Sequence, residues 1–493
     1  MQLTNNNNQK MITTIFDILI SIIEGFLKTT FDLLESAISG NRNKEYKAEF
    51  ASQRSLLSAF NSGFNLTGNK SLSIKDSFQN SLIVGGTGTG KSSVVLIPSL
   101  YTMKGSFIVH DPSGELFLKS SGYLKQKGYD IKVLNFARPE ISSNYNPLSR
   151  ARDSSTDIQK VASIMVENSM GGNKKEPFWN SLAVSLITIL IQILKTQDEE
   201  FYNLPNVYSL LNAMGGNHEA VDALFSKDAD EKLFKEYKAF LAYDEKVTNS
   251  VIATCKAALQ IFNDENVAKV TSTDNIRFED FREKPTVVYI QNSIADQRYY
   301  SVLTSLYFEQ LFSFILSRFP KESEQSVYFL IDECSSLHLP TLALATANVR
   351  KYCAGILLII QSPQQMTNHY GKAETESILA NCHSKLYFSG QNLETATELE
   401  KILGKWEFKD SQEKKVVRSL MTNDEIRMLR QDRAILICGN AAPVLTKLRP
   451  YYQSRRYREY ANIPAPKSCS ENSCEPIAIL PLPVISKNNE QEK

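Results

Sequence analysis

One short segment constrains the fold of this chain more than any other feature. Residues 85–92 read Gly-Gly-Thr-Gly-Thr-Gly-Lys-Ser; they follow the apolar run 82–84 and precede an apolar run with helix-forming character. Glycines let the backbone turn tightly, so successive N–H groups and the start of the next helix can point at one anionic group. The spacing matches G-x-x-x-x-G-K-[ST] in strand–loop–helix context. The sequence therefore predicts a loop that binds nucleotide phosphates.

The predicted nucleotide site has a lysine and a hydroxyl at the end of this loop. Lys91 would reach the β- and γ-phosphates of ATP, and the Ser92 hydroxyl would hold Mg²⁺. The residues assigned to nucleotide binding are Gly85, Gly86, Thr87, Gly88, Thr89, Gly90, Lys91, Ser92 and Ser93.

ATP hydrolysis also needs an acid near the metal and a group that activates water. The apolar run 327–331 ends in Asp332-Glu333. We expect Asp332 to bind Mg²⁺ through water and Glu333 to polarise the attacking water. A consecutive acid pair favours a motor-type ATPase over a small-molecule kinase, whose acceptor is not water; a surface acidic pair is the plain alternative.

Two further polar residues flank the next apolar run, 355–360. Gln361 follows it, and its amide would sense the γ-phosphate or orient water, unless it is simply a turn residue. Arg350 precedes the run. Its guanidinium would stabilise transition-state charge, in its own site or as a finger into a neighbouring subunit; a solvated helix end is the alternative.

Strand-like and helix-like segments alternate along the chain. The strand-like runs are 81–84, 106–110, 131–136, 286–291, 327–331, 355–360, 385–388 and 434–438. This alternation predicts an α/β fold with a parallel sheet covered by helices. Long helical stretches interrupt it and indicate an inserted all-α domain. The predicted divisions are an N-terminal segment 1–40, a nucleotide-binding domain 41–150 and 281–462, the all-α domain 151–280, and a flexible tail 463–493.

The N-terminal segment alternates polar and apolar residues with helical period. Its polar stripe is Thr13, Asp17, Ser21, Glu24, Lys28, Asp32 and Glu35. A membrane span needs about 20 nearly uncharged residues, so 11–38 is predicted to be an amphipathic helix or helical hairpin. Its partner is a bilayer surface or a protein. The acidic stripe disfavours anionic lipid, and packing on its own domain or a neighbouring subunit is the alternative.

Composition limits the partners. The net charge is +1, so any nucleic-acid surface must be local. Arginines, lysines and tyrosines interleave over 447–460, which suits single strands, although a solvated or subunit-contacting face has the same composition. Seven scattered cysteines fit a reducing compartment. Cys469 and Cys474 have no neighbours to complete a zinc site, so no zinc is predicted there.

Six motifs in order resemble the coupling proteins of type IV secretion and bacterial conjugation, the TraG/TraD-like ATPases related to FtsK and HerA translocases. Ser113 stands where that family commonly has lysine, and the resemblance covers roughly 75–460. The matching segments are 81–93, His110-Asp-Pro-Ser-Gly-Glu-Leu, Tyr145-Asn-Pro-Leu, Phe178-Trp179, Leu330-Ile-Asp-Glu, and Arg350-Lys-Tyr-Cys-Ala-Gly with Gln361-Ser362.

The resemblance implies a RecA-like domain with an all-α domain, ATP and Mg²⁺, and a hexameric ring with Arg350 as a finger in trans. It implies transport of single-stranded DNA or of relaxase or effector proteins to inner-membrane secretion components, selected by the all-α domain and tail. Typical members have two N-terminal transmembrane helices. Because 11–38 is too charged for these, we expect a protein of the bacterial cytoplasm, peripheral at the cytoplasmic face of the inner membrane. The alternatives are a substrate receptor that uses ATP for assembly rather than threading, and a cytosolic FtsK/HerA-like DNA translocase.

Overall fold

The structure is a computed structural model that describes residues 46–169, 177–216, 218–293, 295–409, 411–412, 414–467 and 476–482. The predicted amphipathic segment and Cys469 and Cys474 lie outside the described residues. The chain divides into two compact units, which are described separately. The smaller comprises 46–50 and Ala396–Ile426, and the larger comprises the remaining described residues.

The strands, in chain order, are β1 Ser81–Val84, β2 Ser106–His110, β3 Asp130–Leu134, β4 Thr286–Ile290, β5 Val327–Ile331, β6 Ala354–Ile360, β7 Ser384–Phe388, β8 Lys405–Lys409, β9 Lys415–Ser419, β10 Arg433–Cys438 and β11 Val444–Lys447. Nine of them form the sheet of the larger unit, in the order β11-β10-β7-β1-β6-β5-β2-β4-β3. In this order the seven strands from β7 to β3 are parallel to one another, and β10 pairs antiparallel with both β7 and β11. The central strands β1, β2, β5 and β6 are buried along their whole length, which explains their uninterrupted apolar runs.

The helices, in chain order, are α1 Ile74–Ser77, α2 Ile97–Thr102, α3 Glu115–Gln126, α4 Ser155–Ser169, α5 Pro177–Lys195, α6 Leu204–Gly216, α7 His218–Asp228, α8 Glu231–Leu241, α9 Glu245–Leu259, α10 Glu265–Thr271, α11 Asp280–Glu283, α12 Gln297–Ser317, α13 Leu342–Asn348, α14 Pro363–Tyr370, α15 Lys372–Ala380, α16 Leu393–Leu403, α17 Asn423–Arg427 and α18 Arg455–Ala461. Helices α4 to α11 lie between β3 and β4 in the chain. The regular elements described there are all helical, so the predicted fold, a parallel sheet with a helical insertion, is confirmed.

Helix α5 is central to the helical insertion. It contacts α4, α6, α8 and α9, and its buried residues include Leu186, Leu190 and Ile193. Within the described part of the chain, Phe178–Lys195 is the one helix long and apolar enough to cross a membrane. Because α5 packs against four other helices, burial in this domain accounts for much of its apolar character.

The smaller unit contains a hairpin that the sequence did not predict. Strands β8 and β9 pair antiparallel, and the Ala48 backbone N–H donates to the Lys405 carbonyl at 3.0 Å. The Trp406 ring stacks on Phe408, with centroids 4.7 Å apart. The two strands read Lys-Trp-Glu-Phe-Lys and Lys-Val-Val-Arg-Ser, so charged residues break up both of them and neither contains a longer apolar run.

Part of the predicted flexible tail packs on the helical insertion. The side chain of Asn206 in α6 donates to the Ala478 carbonyl at 3.0 Å and accepts from the Leu480 N–H at 2.8 Å. The Leu480 side chain is 8 % exposed. Residues 476–482 therefore differ from the prediction, because a run containing Ile-Ala-Ile-Leu can bury apolar surface that the surrounding proline and polar content obscured.

Candidate nucleotide site

The predicted phosphate loop leaves the carboxyl end of β1 in a conformation that requires glycine. Gly88 and Gly90 have φ of 76° and 88°, a region that side chains disfavour. A Cβ added at Gly85 would lie 2.9 Å from the Cβ of Phe388. The Gly85 N–H also donates to the Ile360 carbonyl at 3.2 Å, which fixes the loop to the end of β6. The loop is therefore held close to two neighbouring strand ends.

Lys91 is nearly buried at the end of this loop. Its ammonium donates to the carbonyls of Gly85 and Gly86, at 2.7 and 2.8 Å. Burial lowers the pKa of Lys91, while the charges of Asp332 and Glu333 act in the opposite direction. The lysine thus occupies the centre of the loop and faces the two predicted acids.

The hydroxyls of the two serines after Lys91 bond to different parts of the site. Ser92 Oγ donates to Asp332 Oδ2 at 3.2 Å, which brings the two predicted metal-binding residues together. Ser93 Oγ instead donates to the Gly90 carbonyl at 3.0 Å, so this side chain stabilises the loop itself. Burial raises the pKa of Asp332 to about 6, partly offset by the hydrogen bond from Ser92 and the charge of Lys91.

The oxygen pair of Ser92 and Asp332 fits the ligand chemistry of Mg²⁺. This ion is usually held by one or two protein oxygens together with substrate phosphates and water, rather than by a full protein cage. Among the described residues no group of three or more His, Cys, Asp or Glu is arranged to hold a metal. The oxygens of Ser92 and Asp332 therefore suit a Mg²⁺ ion whose other ligands are nucleotide phosphates and water.

Glu333 is held by a ring of hydrogen bonds. Gln361 Nε2 donates to Glu333 Oε1 at 2.9 Å, and Gln365 Nε2 donates to Gln361 Oε1 at 3.2 Å. Ser335 Oγ closes the ring, lying 3.2 Å from Gln365 Oε1 and 3.4 Å from Glu333 Oε1. Glu333 has φ 52°, an uncommon conformation for a residue with a side chain. The direct partner of Gln361 is therefore the predicted water-activating carboxylate.

Arg350 lies at the other edge of the sheet. It precedes β6, and its guanidinium donates to the side chain of Gln79, just before β1, at 3.2 Å. The phosphate loop and Asp332 follow their strands, so they lie at the carboxyl edge. A seven-residue strand such as β6 spans roughly 20 Å. This separation removes the alternative that Arg350 acts in its own chain's site, and a role in trans stays a prediction.

Two buried groups beside Asp332 carried no predicted role. His110 Nδ1 lies 2.6 Å from the Asp332 carbonyl, which can only accept, so this nitrogen carries a proton. Burial lowers the pKa of His110 to about 4. Asp111 Oδ2 accepts from the Phe117 N–H at 2.8 Å in the first turn of α3. The motif that begins at His110 carries part of the family resemblance, but only the folded chain shows that His110 and Asp111 support the end of the Asp332 strand and the start of α3.

Gln391 also supports the loop, and nothing in the sequence marked it. Its buried Nε2 donates to the Val84 carbonyl at 3.1 Å and to the Phe388 carbonyl at 2.7 Å. It therefore ties the last residue of β1, where the loop begins, to the end of β7. Because the Val84 carbonyl lies 307 positions away in sequence, the sequence around Gln391 carries no motif for this role.

The interleaved basic and aromatic residues at 447–460 use their rings for packing. Tyr460 stacks on Tyr123 of α3 with centroids 4.0 Å apart, and Tyr457, 9 % exposed, lies 5.4 Å from Tyr101. These rings attach α18 to the sheet domain. Tyr452 is 54 % exposed. Tyr457 and Tyr460 thus pack within the chain, a role that neither of the two interpretations of this segment includes.

The fold and the site together define a RecA-like P-loop nucleotide-binding domain that carries a helical domain between β3 and β4. Residues 28–473 match the family described as Type IV secretory system Conjugative DNA transfer. The chain belongs to this family, which confirms the predicted relationship.

Individual relatives agree with this assignment. Protein VirD4 of Agrobacterium fabrum is 25 % identical over 398 residues, covering 78 % of this chain and 59 % of that protein. Conjugal transfer protein TraG of Escherichia coli is 24 % identical over 356 residues, covering 64 % of this chain and 54 % of that protein. The match therefore spans less than two thirds of the length of these relatives.

Solved structures show the same fold. The plasmid coupling protein TrwB in complex with the GTP analogue GDPNP is 19 % identical with a TM-score of 0.65, covering 81 % of this chain and 92 % of that one. TrwB in complex with ADP and Mg²⁺ is 18 % identical with a TM-score of 0.63, covering 82 % and 95 %. The predicted combination of a RecA-like domain and a helical domain is confirmed.

Proposed function

We propose that this chain is an ATP-hydrolysing coupling protein that recruits conjugative single-stranded DNA, protein substrates or both, and moves them to a type IV secretion channel. The observation that carries the proposal is the convergence of Lys91, Asp332 and Glu333 at one sheet edge, in a member of this family. Relatives named as a conjugal transfer protein and as a plasmid coupling protein support it. TrwB structures with an ATP analogue and with ADP and Mg²⁺ support ATP and Mg²⁺ as ligands.

The proposed chemistry assigns each residue one task. Lys91 and the N–H groups of the loop would bind the β- and γ-phosphates. Ser92, and Asp332 through water, would hold Mg²⁺, which would supply neutralisation of the phosphate charge. Glu333 accepts a hydrogen bond from the attacking water and polarises it. Gln361 holds the Glu333 carboxylate in place, so it acts through Glu333 rather than on the nucleotide.

The proposed assembly is a homo-oligomer, a hexameric ring with nucleotide sites between subunits. Its support in this chain is Arg350, which is exposed and lies at the sheet edge opposite its own phosphate loop. An exposed guanidinium there is available to a neighbouring subunit, where it would stabilise transition-state charge on the phosphates.

The proposed location is the bacterial cytoplasm, at the cytoplasmic face of the inner membrane, with relaxase or effector proteins and inner-membrane secretion components as partners. Family membership supports it. The long apolar helix α5 packs against four other helices of the helical insertion. The predicted amphipathic segment 11–38 is the proposed membrane contact.

The test compares Lys91→Ala with Lys75→Ala, which removes an exposed lysine from α1. We expect Lys91→Ala to abolish ATP hydrolysis and plasmid transfer in mating assays, and Lys75→Ala to retain both. Single-stranded DNA should bind the wild-type chain and increase its turnover. Equal turnover in the two variants would contradict the proposal.

The second candidate is a substrate receptor that uses ATP for assembly rather than threading. The packing of residues 476–482 on the helical insertion favours this candidate. It shows that the helical insertion can bind an extended peptide segment, as a substrate receptor must. ATP hydrolysis without binding of, or response to, single-stranded DNA would eliminate the DNA pump and leave this candidate.

A further inference from the structure

The contact between α6 and the tail segment, residues 476–482, has the form of peptide recognition. Asn206 donates to the Ala478 carbonyl and accepts from the Leu480 N–H, the two groups that flank Ile479. A residue of a neighbouring parallel strand bonds the same two groups. The Asn206 amide therefore forms the two hydrogen bonds that a neighbouring strand would form, and it binds main-chain groups of an extended peptide.

The Asn206 amide is also held by residues of the helical insertion itself. Asn203 Oδ1 accepts from the Asn206 N–H at 3.0 Å and from Asn206 Nδ2 at 2.9 Å. Asn203 Nδ2 in turn donates to the Glu200 carbonyl at 2.8 Å. Both asparagines are fully buried. This second layer orients the amide, so its binding geometry is built into the helical insertion rather than imposed by the tail.

The helical insertion contacts few side chains of the tail segment. Ile479, the residue between the two bonded groups, is 51 % exposed, whereas Leu480 is 8 % exposed. Main-chain bonds supply affinity in this kind of recognition, and buried side chains supply specificity. The site therefore accepts extended peptides that place one apolar side chain at the position of Leu480.

We propose that Asn206 and the start of α6 form a peptide-binding site for an extended apolar segment of a second protein chain, and that residues 476–482 occupy this site in cis as an exchangeable ligand. Tethering gives a linked peptide an effective concentration on the order of millimolar. The tail segment therefore fills the site although it buries few side chains, and a peptide that binds more tightly replaces it.

The test uses the full chain and a fluorescent, amidated peptide with the sequence of residues 476–482, followed by fluorescence anisotropy. Leu480→Asp releases the tail segment, so this variant should bind the free peptide at least about tenfold more tightly than the wild type. Ile479→Asp is the matched control. It places the same charge on an exposed position, keeps the tail segment bound and should behave as the wild type.

A modified peptide tests main-chain reading without altering the protein. In the modified peptide, the backbone nitrogen at the position of Leu480 is methylated, so it can no longer donate a hydrogen bond to Asn206 Oδ1. This peptide should bind the Leu480→Asp chain about tenfold or more weakly than the unmodified peptide. Asn206→Ala in that chain should weaken binding similarly. No binding to Leu480→Asp at millimolar peptide would overturn the proposal, as would equal binding by Leu480→Asp and wild type, or full affinity of the methylated peptide.

Discussion

Substitution of Gln361 by alanine tests how the water-activating carboxylate is held. Gln361 Nε2 donates to Glu333 Oε1 at 2.9 Å, and the remaining side-chain hydroxyl near that oxygen, Ser335 Oγ, is 3.4 Å away. Alanine removes the shorter bond and also leaves Gln365 without the acceptor it uses in the ring. The Glu333 carboxylate then loses the contact that fixes its rotamer.

The magnitude follows from the charge of the acceptor. A hydrogen bond to an ionised group contributes roughly 1.5–3 kcal/mol, which corresponds to about a 10- to 150-fold change in rate. Glu333 is partly exposed, so water replaces part of the lost bond, and we expect the lower part of that range, about 10- to 30-fold. Steady-state ATP hydrolysis should show this as a lower kcat with an unchanged KM, because the nucleotide itself loses no contact.

The control is Gln364→Ala, which removes the same side chain three positions further on. Gln364 accepts from Asn392 at 3.2 Å, away from the ring that holds Glu333, and turnover should stay within about twofold of the wild type. A normal kcat in Gln361→Ala would refute positioning by this amide. A loss confined to KM would show instead that Gln361 contacts the γ-phosphate, the other role predicted for it.

Three further predictions concern different parts of the larger unit. Burial raises the pKa of Asp111 from 3.8 to about 6, so the folded chain keeps this proton longer than the unfolded one, and the free energy of unfolding falls between about pH 4 and 6 by roughly 3 kcal/mol (2.2 × 1.36). Urea melts of Asp111→Asn should lack that part of the fall, and an unchanged pH profile would contradict this cause. Arg350→Ala and Lys91→Ala chains should each be inactive alone, yet an equal mixture should recover about a quarter of the wild-type ATPase rate, since half of the loops meet half of the fingers; no recovery would argue against a finger in trans. Gly355→Ala would place a Cβ 2.4 Å from the Ser77 carbonyl, and thermal unfolding should show a loss of about 1–3 kcal/mol.

Structural features that depend on a short continuous stretch of sequence could be predicted. The phosphate loop combines turn-forming glycines with a lysine and a serine, and the apolar run before Asp332 is a strand that is buried along its whole length. Strong local patterns of this kind fix both the type of element and the edge of the sheet at which its last residue lies. The positions of Lys91, Ser92, Asp332 and Glu333 followed from these patterns.

Features that depend on distant contacts were not predictable in the same way. Gln391 bonds the end of β1 from more than three hundred residues away, and Asn206 bonds the tail segment from a comparable separation. An asparagine or glutamine in either place looks like any surface amide. The sequence does not predict the hairpin of β8 and β9 because charged residues leave at most two consecutive apolar residues in either strand.

Arg350 and Gln361 show how a short separation in sequence becomes a long one in space. They flank β6 and are eleven positions apart, yet a strand carries the chain from one edge of the sheet to the other, roughly 20 Å away. Residues that precede the other parallel strands also lie at the end of the sheet opposite the phosphate loop, at distances set by strand lengths of four to seven residues. If one nucleotide needs both Gln361 and Arg350, the two must come from different copies of the chain. In this fold the predicted arginine finger therefore implies assembly, because strand direction alone prevents one subunit from supplying both groups.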